Sequence, residues 1–250
     1  MSQKDIRKFG LLGKTLGHSF SKSHFEEKFE TEKIDASFEN IELADVHALE
    51  IWMKGAHAEF QGVSVTIPYK TAVIPFLDEL STEAKEIGAV NCIHFRDGKS
   101  IGHNTDAFGF GQSIKPFLRN IHERALVLGT GGASKAVAYT LENLGITVGY
   151  LSRTPKEDEM IFGYDQASDL MVKSFPMIVN CTPLGSAPNV NEKPAFPIDL
   201  VGEDHFVVDL IYNPSETLFL KIARESGADT LNGLSMLKQQ AAKAWEIWNS

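Results

Sequence analysis

The run Ala125-Leu-Val-Leu-Gly-Thr-Gly-Gly-Ala-Ser-Lys-Ala-Val-Ala-Tyr139 constrains this chain more than any other stretch. Four apolar residues break at Gly129 into a glycine cluster, and apolar residues then resume at helical spacing. That order reads as strand, tight turn, helix. Gly129 lets the strand end in a turn, and Gly131 lets backbone approach a pyrophosphate closely. The N–H groups from Gly132 and Ala133 onward then face the anion at the start of the helix. Ser134 stands where the dinucleotide fingerprint has its third small residue, and such a turn by itself is a weak signal. A second apolar strand, Ile146-Thr-Val-Gly-Tyr-Leu151, completes a βαβ unit and makes a dinucleotide the natural ligand.

The residues that follow this second strand meet the adenosine ribose, and their charge selects the cofactor. An acid there favours NAD. Here Ser152, Arg153 and Thr154 offer a cation and two hydroxyls, Lys156 is close by, and no acid comes before Glu157. That set suits a 2′-phosphate and hence NADP.

At 250 residues the chain has room for two domains, and 43% hydrophobic residues can fill two cores. A net charge of −9 with no basic run argues against binding to nucleic acid. There is no apolar run long enough for a membrane span and no leader-like segment at the start, so a cytosolic protein is expected. Cys92 and Cys181 each sit inside an apolar run and read as buried thiols rather than a disulfide. The eight histidines show no paired metal spacing, so no metal is expected.

The first hundred residues alternate strands with helices before the glycine turn begins, which argues for a separate α/β domain ahead of the dinucleotide domain. A strand at residues 8–13 leads through a hydroxyl-rich loop, His18-Ser-Phe-Ser21, into a helix over 22–29. Ser19 or Ser21 caps that helix, or the two hydroxyls together hold a carboxylate. A strand at 36–41, a helix over 43–55 and a strand over 62–68 follow, and Lys70 comes just past the last of these. A short helix over 81–87 precedes a strand over 88–95, and Asp97-Gly98 turns it into a second strand that ends at Asn104-Thr-Asp106. A helix continues to Leu118. Beyond Thr154, residues 155–175 are polar and leave little room for a crossover helix. The strand from Met177 ends in Asn180 and Thr182, a further strand covers 205–210, and a brief one at 228–231 turns at Asn232-Gly233 into a final helix reaching Trp248.

Taken together, His18-Ser-Phe-Ser21, Val63-Ser-Val-Thr-Ile-Pro-Tyr-Lys70, Gly88-Ala-Val-Asn91, Asn104-Thr-Asp106, Gly129-Thr-Gly-Gly-Ala-Ser134, Ser152-Arg-Thr154, Asn180-Cys-Thr-Pro183 and Asn232-Gly-Leu-Ser-Met-Leu237 resemble the shikimate dehydrogenase family from end to end. The resemblance implies an α/β chain of two domains. A substrate domain would cover 1–104 and be completed by the C-terminal helix, 234–250, and a Rossmann-like NADP domain would cover 105–233. It implies reversible, NADP-dependent reduction of 3-dehydroshikimate to shikimate on the way to aromatic amino acids. By motif, Lys70 and Asp106 would be the catalytic pair. Ser19 and Ser21 would hold the substrate carboxylate, and Thr66, Asn91, Asp106 and Gln240 its hydroxyls, with Tyr212 nearby. Gly129, Gly131, Gly132, Ala133, Ser152, Arg153, Thr154 and Thr182 would hold the cofactor, with Gly233 near the nicotinamide.

The chain departs from the family pattern in two places. Ser64 stands where many members carry asparagine, and the stretch 155–175 is short enough to delete a helix and a second arginine near the 2′-phosphate, with Lys156 as a substitute. The nearest alternative is a quinate/shikimate dehydrogenase that uses NAD, which the lack of an acid beside Arg153 opposes. A noncatalytic ligand-binding member of the fold would be expected to have lost Lys70 or Asp106, and both are present. Monomer and homodimer are both compatible with the sequence.

NADP is therefore expected to be preferred over NAD, and Arg153→Ala to erode the preference by removing the charge-assisted partner of the 2′-phosphate. Rates with the two cofactors, compared in wild type and variant, check this. Equal use of both by the wild type refutes it.

Overall fold

A computed structural model describes residues 6–17, 20–156 and 160–250. The strand and helix periods of the sequence give two sheets, in units formed by Met1–Thr105 with Ala241–Ser250 and by Asp106–Gln240. The chain changes unit between Thr105 and Asp106, and again inside the last helix.

In the first unit the strands are β1 (Arg7–Gly13), β2 (Ala36–Glu42), β3 (Gly62–Val65), β4 (Glu79–Leu80), β5 (Cys92–Arg96) and β6 (Lys99–His103). Its helices are α1 (Phe20–Thr31), α2 (Val46–Ala56), α3 (Tyr69–Ala72) and α4 (Thr82–Ile87). The sheet order is β2-β1-β3-β5-β6-β4. β1 runs parallel to β2 and β3, whereas β5 is antiparallel to both β3 and β6. That single reversal decides what gathers at one edge: the carboxyl ends of β1, β3 and β6 meet the amino end of β5. Asp97 and Gly98 take positive φ, 52° and 75°, in the tight turn between β5 and β6.

Alternation along β1 sorts the core. Phe9 and Leu11 face Phe25, Phe29 and Phe38, whereas Leu12 faces Leu49, Met53, Val63 and Val65. The end of the last helix closes the first of these layers. Trp248 stacks on Phe9 at 5.2 Å, donates its indole N–H to the Ile93 carbonyl at 3.0 Å, and lies against Gly62, where a Cβ would collide with the ring.

The second unit opens with α5 (Asp106–Ile114) and continues through β7 (Arg124–Leu128), α6 (Gly132–Asn143), β8 (Thr147–Ser152), β9 (Ile161–Gly163), α7 (Asp169–Ser174), β10 (Met177–Asn180), β11 (Phe206–Asp209), α8 (Leu218–Glu225), β12 (Asp229–Leu231) and the first turns of α9 (Leu234–Trp248). All its strands are parallel, in the order β12-β11-β10-β7-β8-β9. Strand order reverses between β7 and β10, and in a doubly wound sheet ligands bind at the carboxyl ends beside that reversal. The apolar runs fit this sheet because its strands are covered on both faces: Ala125 and Val127 belong to one core, Leu126 and Leu128 to the other.

The structure departs from the sequence expectation in two places. α1 begins at Phe20, so Ser21 lies in its first turn and does not cap it. Residues 155–175 hold both a strand, β9, and a short helix, α7, capped by the Ser168 hydroxyl accepting from Met171 N–H. Only Val172 of that helix is buried, so no apolar period announces it. The crossover from β8 to β9 itself, residues 153–160, has no helix among its described residues.

Trp248→Ala removes a 3% exposed indole and its hydrogen bond, and is expected to cost about 3–5 kcal/mol of stability. Urea unfolding measures it. A loss below about 1 kcal/mol would mean that the layer closes without the tryptophan.

Candidate active site

β3 stops at Val65, short of the expected 62–68, and a turn through Ile67 and Pro68, closed by Tyr69 N–H to the Thr66 carbonyl, leads into α3. Tyr69 anchors α3: its ring is buried, its hydroxyl donates to the Leu43 carbonyl at 2.6 Å, and burial pushes the phenol up. Its neighbour Lys70 is held by this pin, half-buried, with its carbonyl accepting from Val90 N–H at 2.7 Å. The next residue, Asn91, accepts from Val65 N–H with its own carbonyl at 2.8 Å, and Thr66 accepts from Tyr69 N–H at 2.9 Å. Thr66, Lys70 and Asn91 thus share one backbone knot at the sheet edge. The Asn91 side chain is buried, its amide donating to Thr105 Oγ1 at 2.9 Å and its oxygen accepting from Thr105 N–H at 2.6 Å.

The loop after β1 joins this cluster. A Cβ at Gly13 would come within 2.7 Å of Thr66 Cγ2, and Lys14 N–H reaches the Ile67 carbonyl at 3.4 Å. Along that loop Ser21 is buried in the first turn of α1, whereas Ser19 lies outside the described residues. Ser64, the position that departs from asparagine, is buried within β3.

The carboxyl edge of the second sheet carries the other candidates. Gly129 takes φ +99°, and a Cβ there would press on Thr182 Cγ2 at 3.1 Å, so only glycine suits a turn so close to the end of β10. Gly131 precedes α6 in extended conformation, and a Cβ there would meet nothing within 4 Å. Beyond it the first N–H groups of α6, those of Gly132 and Ala133, have no acceptor within the helix. Bare backbone, open space and a helix N-terminus together fit a dinucleotide pyrophosphate.

At the end of β8, Ser152 is buried, and its Oγ accepts from Thr154 N–H at 3.1 Å and lies 3.2 Å from Thr154 Oγ1. This small turn leaves Arg153 exposed, with no ion pair among the described residues. The Ser152 to Gly163 register puts Tyr164 alongside. Burial raises the Tyr164 phenol, and the Arg153 charge pulls it part of the way back.

Thr182 is held twice by one atom, the Asn180 side-chain oxygen, which accepts its N–H at 3.0 Å and its hydroxyl at 2.7 Å. The Asn180 amide donates in turn to Asp209 Oδ1 at 3.0 Å. Asp209 also accepts from Ile211 N–H at 3.1 Å and from the Thr217 hydroxyl at 2.7 Å. It is fully buried, and burial pushes its carboxyl up to about 6 against the opposing pull of these three hydrogen bonds. Tyr212 follows, half-buried, its phenol raised by burial. Gly233 N–H donates to the Ile211 carbonyl at 3.0 Å, and a Cβ at Gly233 would collide with the Leu210 carbonyl.

Asp106 is the first residue of α5 and is buried. One turn on, a Cβ at Gly109 would come within 2.6 Å of the Met236 carbonyl and 3.0 Å of Gln240 Cβ. This glycine contact lets α9 approach α5 and puts Asp106 and Gln240 on facing helices.

A sequence model of the shikimate dehydrogenase substrate binding domain matches residues 11–93. A shikimate dehydrogenase (NADP(+)) from Carboxydothermus hydrogenoformans is 41% identical over an alignment of 253 positions that covers 96% of this chain and 90% of that protein. The chain belongs to the shikimate dehydrogenase family. The shikimate dehydrogenase of Aquifex aeolicus matches the fold with a TM-score of 0.88 at 34% identity, covering 100% of this chain and 94% of its own. That of Thermus thermophilus, solved in complex with NADP(H) and shikimate, matches with a TM-score of 0.86 at 33% identity, covering 97% of this chain and 93% of its own.

The family motifs point to Thr182 and Gln240 but not to Asp209, Thr217 or Gly109, which hold them or face them. An acid closing an otherwise apolar run, His205-Phe-Val-Val-Asp209, is the one sequence signal that could have singled out Asp209. Cys92 is buried as expected, whereas Cys181 is only half-buried, and both are free thiols. Among the described residues no group of His, Cys, Asp and Glu could hold a metal, and no helix is long and apolar enough to cross a membrane.

The raised carboxyl of Asp209 sets a pH dependence. Its folded value of about 6 lies above the ordinary 3.8, so between these pH values the folded chain binds more protons than the unfolded one. Its contribution to stability is full below about pH 4 and is lost as the pH rises through 6. At about 1.4 kcal/mol per pH unit between the two values, wild type should gain about 3 kcal/mol relative to Asp209→Asn when the pH falls from about 7 to about 4. Urea unfolding of both chains at several pH values measures the gap. A constant gap would show that Asp209 ionises like an exposed acid.

Proposed function

We propose that this chain catalyses the reversible, NADP-dependent reduction of 3-dehydroshikimate to shikimate in the cytosol. The observation that carries the reading is the gathering of the family's motif residues at two sheet edges. Thr66, Lys70 and Asn91 share one knot in the first unit, and Gly129, Thr182 and Gly233 line the carboxyl edge of the second. In this reading 1–104 with 234–250 is the substrate domain and 105–233 the cofactor domain, whereas the compact units of the structure break after Thr105 and after Gln240.

When bound, NADPH supplies the hydride. The chain's own residues do the rest. The glycine turn and the N–H groups of Gly132 and Ala133 hold the pyrophosphate, and Arg153, with Ser152 and Thr154, holds the 2′-phosphate. Ser19 and Ser21 bind the substrate carboxylate, and Thr66, Asn91, Gln240 and Tyr212 orient its ring through its hydroxyls. As the carbonyl becomes an alkoxide, the Lys70 ammonium donates a proton or stabilises the negative charge at that oxygen. The Asp106 carboxylate accepts from a substrate hydroxyl and orients the ammonium.

Loss of NADPH absorbance on adding 3-dehydroshikimate tests the activity, with quinate and NAD as the contrasting pair. Lys70→Ala is expected to lower kcat by ~10²–10⁴-fold with little change in substrate affinity. Asp106→Asn should lower kcat and weaken substrate binding together, and the double variant should be little worse than the worse single one. A near-normal kcat for folded Lys70→Ala would remove Lys70 from the mechanism.

A further inference from the structure

Asp209 is fully buried, and among the described residues no cation pairs with it; its partners are three donors, Asn180 at the end of β10 and Ile211 and Thr217 in the connection from β11 to α8. A carboxylate only accepts, so Asn180 must turn its NH₂ toward Asp209 and its oxygen toward Thr182. The orientation of that buried amide is therefore dictated by Asp209. The Asn180 oxygen then takes both the N–H and the hydroxyl proton of Thr182, which commits that hydroxyl and leaves its methyl against Gly129. The same Asp209 oxygen takes Ile211 N–H, one residue before Tyr212, and the Ile211 carbonyl takes Gly233 N–H. One carboxylate thus fixes the wall beside the glycine turn and the segment that holds Gly233.

We propose that Asp209 is a positioning residue for the reaction, setting through Asn180 and Ile211 where Thr182 and Gly233 stand toward the cofactor. This rests on the NADP reading above. The competing role is a purely structural one, as the anchor of α8, because the Thr217 hydroxyl that donates to Asp209 also accepts from Leu220 N–H at the helix start.

Three variants separate these roles. Asp209→Leu leaves the Asn180 amide and Ile211 N–H without an acceptor, and should raise the NADP dissociation constant by about tenfold and lower kcat. Asp209→Asn keeps an oxygen toward Asn180 and Ile211 while its NH₂ faces Thr217, so it should restore NADP affinity to within about threefold of wild type. Thr217→Val loses the cap and the third hydrogen bond, and should lower the melting temperature with NADP affinity unchanged. Calorimetric titration with NADP, thermal melts and steady-state rates give the readouts. Wild-type affinity in folded Asp209→Leu overturns the proposal, as does a loss of affinity in Thr217→Val equal to that in Asp209→Leu. If Asp209→Leu does not fold, Asn180→Ala breaks the link at its other end and should show the same tenfold loss, and an unchanged affinity there also overturns the proposal. A wild type that binds NADP without reducing 3-dehydroshikimate defeats the substrate reading alone. One that binds no NADP defeats both.

Discussion

In Asp106–Gln240, six parallel strands deliver their carboxyl ends to one edge, and everything this unit offers a ligand depends on that. Parallel strands need crossover connections, so each strand end begins a turn free to carry chemistry. Where the order reverses, the turn after β7 and the end of β10 come close enough for a Cβ on Gly129 to press on Thr182. The glycine is a consequence of this packing as much as of any ligand. A bare turn, an open space at Gly131 and a helix N-terminus then coincide, and together they make an anion site.

The first unit reaches a similar result by a different route. β5 runs against β3 and β6, so the residue before β5 arrives at the edge where β3 and β6 end. Asn91 sits there, locked to Thr105, and the Lys70 carbonyl is bonded to the residue just before it. Polar side chains that are buried must be paired, and here the pairing fixes their direction as well.

Burying Asp209 opposes the hydrogen bonds that it accepts, since burial raises its carboxyl while three donors hold the charged form. A carboxylate is the one common side chain that accepts from three donors and donates to none, which makes the orientation of Asn180 unambiguous. A neutral amide in its place offers a single acceptor oxygen, and so leaves the network with less power to choose.

The sequence by itself determined the element types, the two-part organisation of strands and helices, the glycine turn, the cationic residue after the second strand and the family. Each rests on local pattern: the period of apolar residues, the turn preferences of glycine and the order of short motifs. It did not disclose α7, because six residues with one buried side chain carry no period. It left open whether Ser21 caps α1, and the fold starts the helix at Phe20, so that Ser21 falls inside its first turn. Only the tertiary structure decided that Asp209 governs Thr182 through Asn180, and that Gly109 lets Gln240 approach α5. Asp209 and Asn180 are 29 residues apart, and they meet only because β10 and β11 pair in register with Asn180 opposite Asp209. Register between strands is a long-range property, set by packing on both faces of the sheet, and no local pattern in the chain records it.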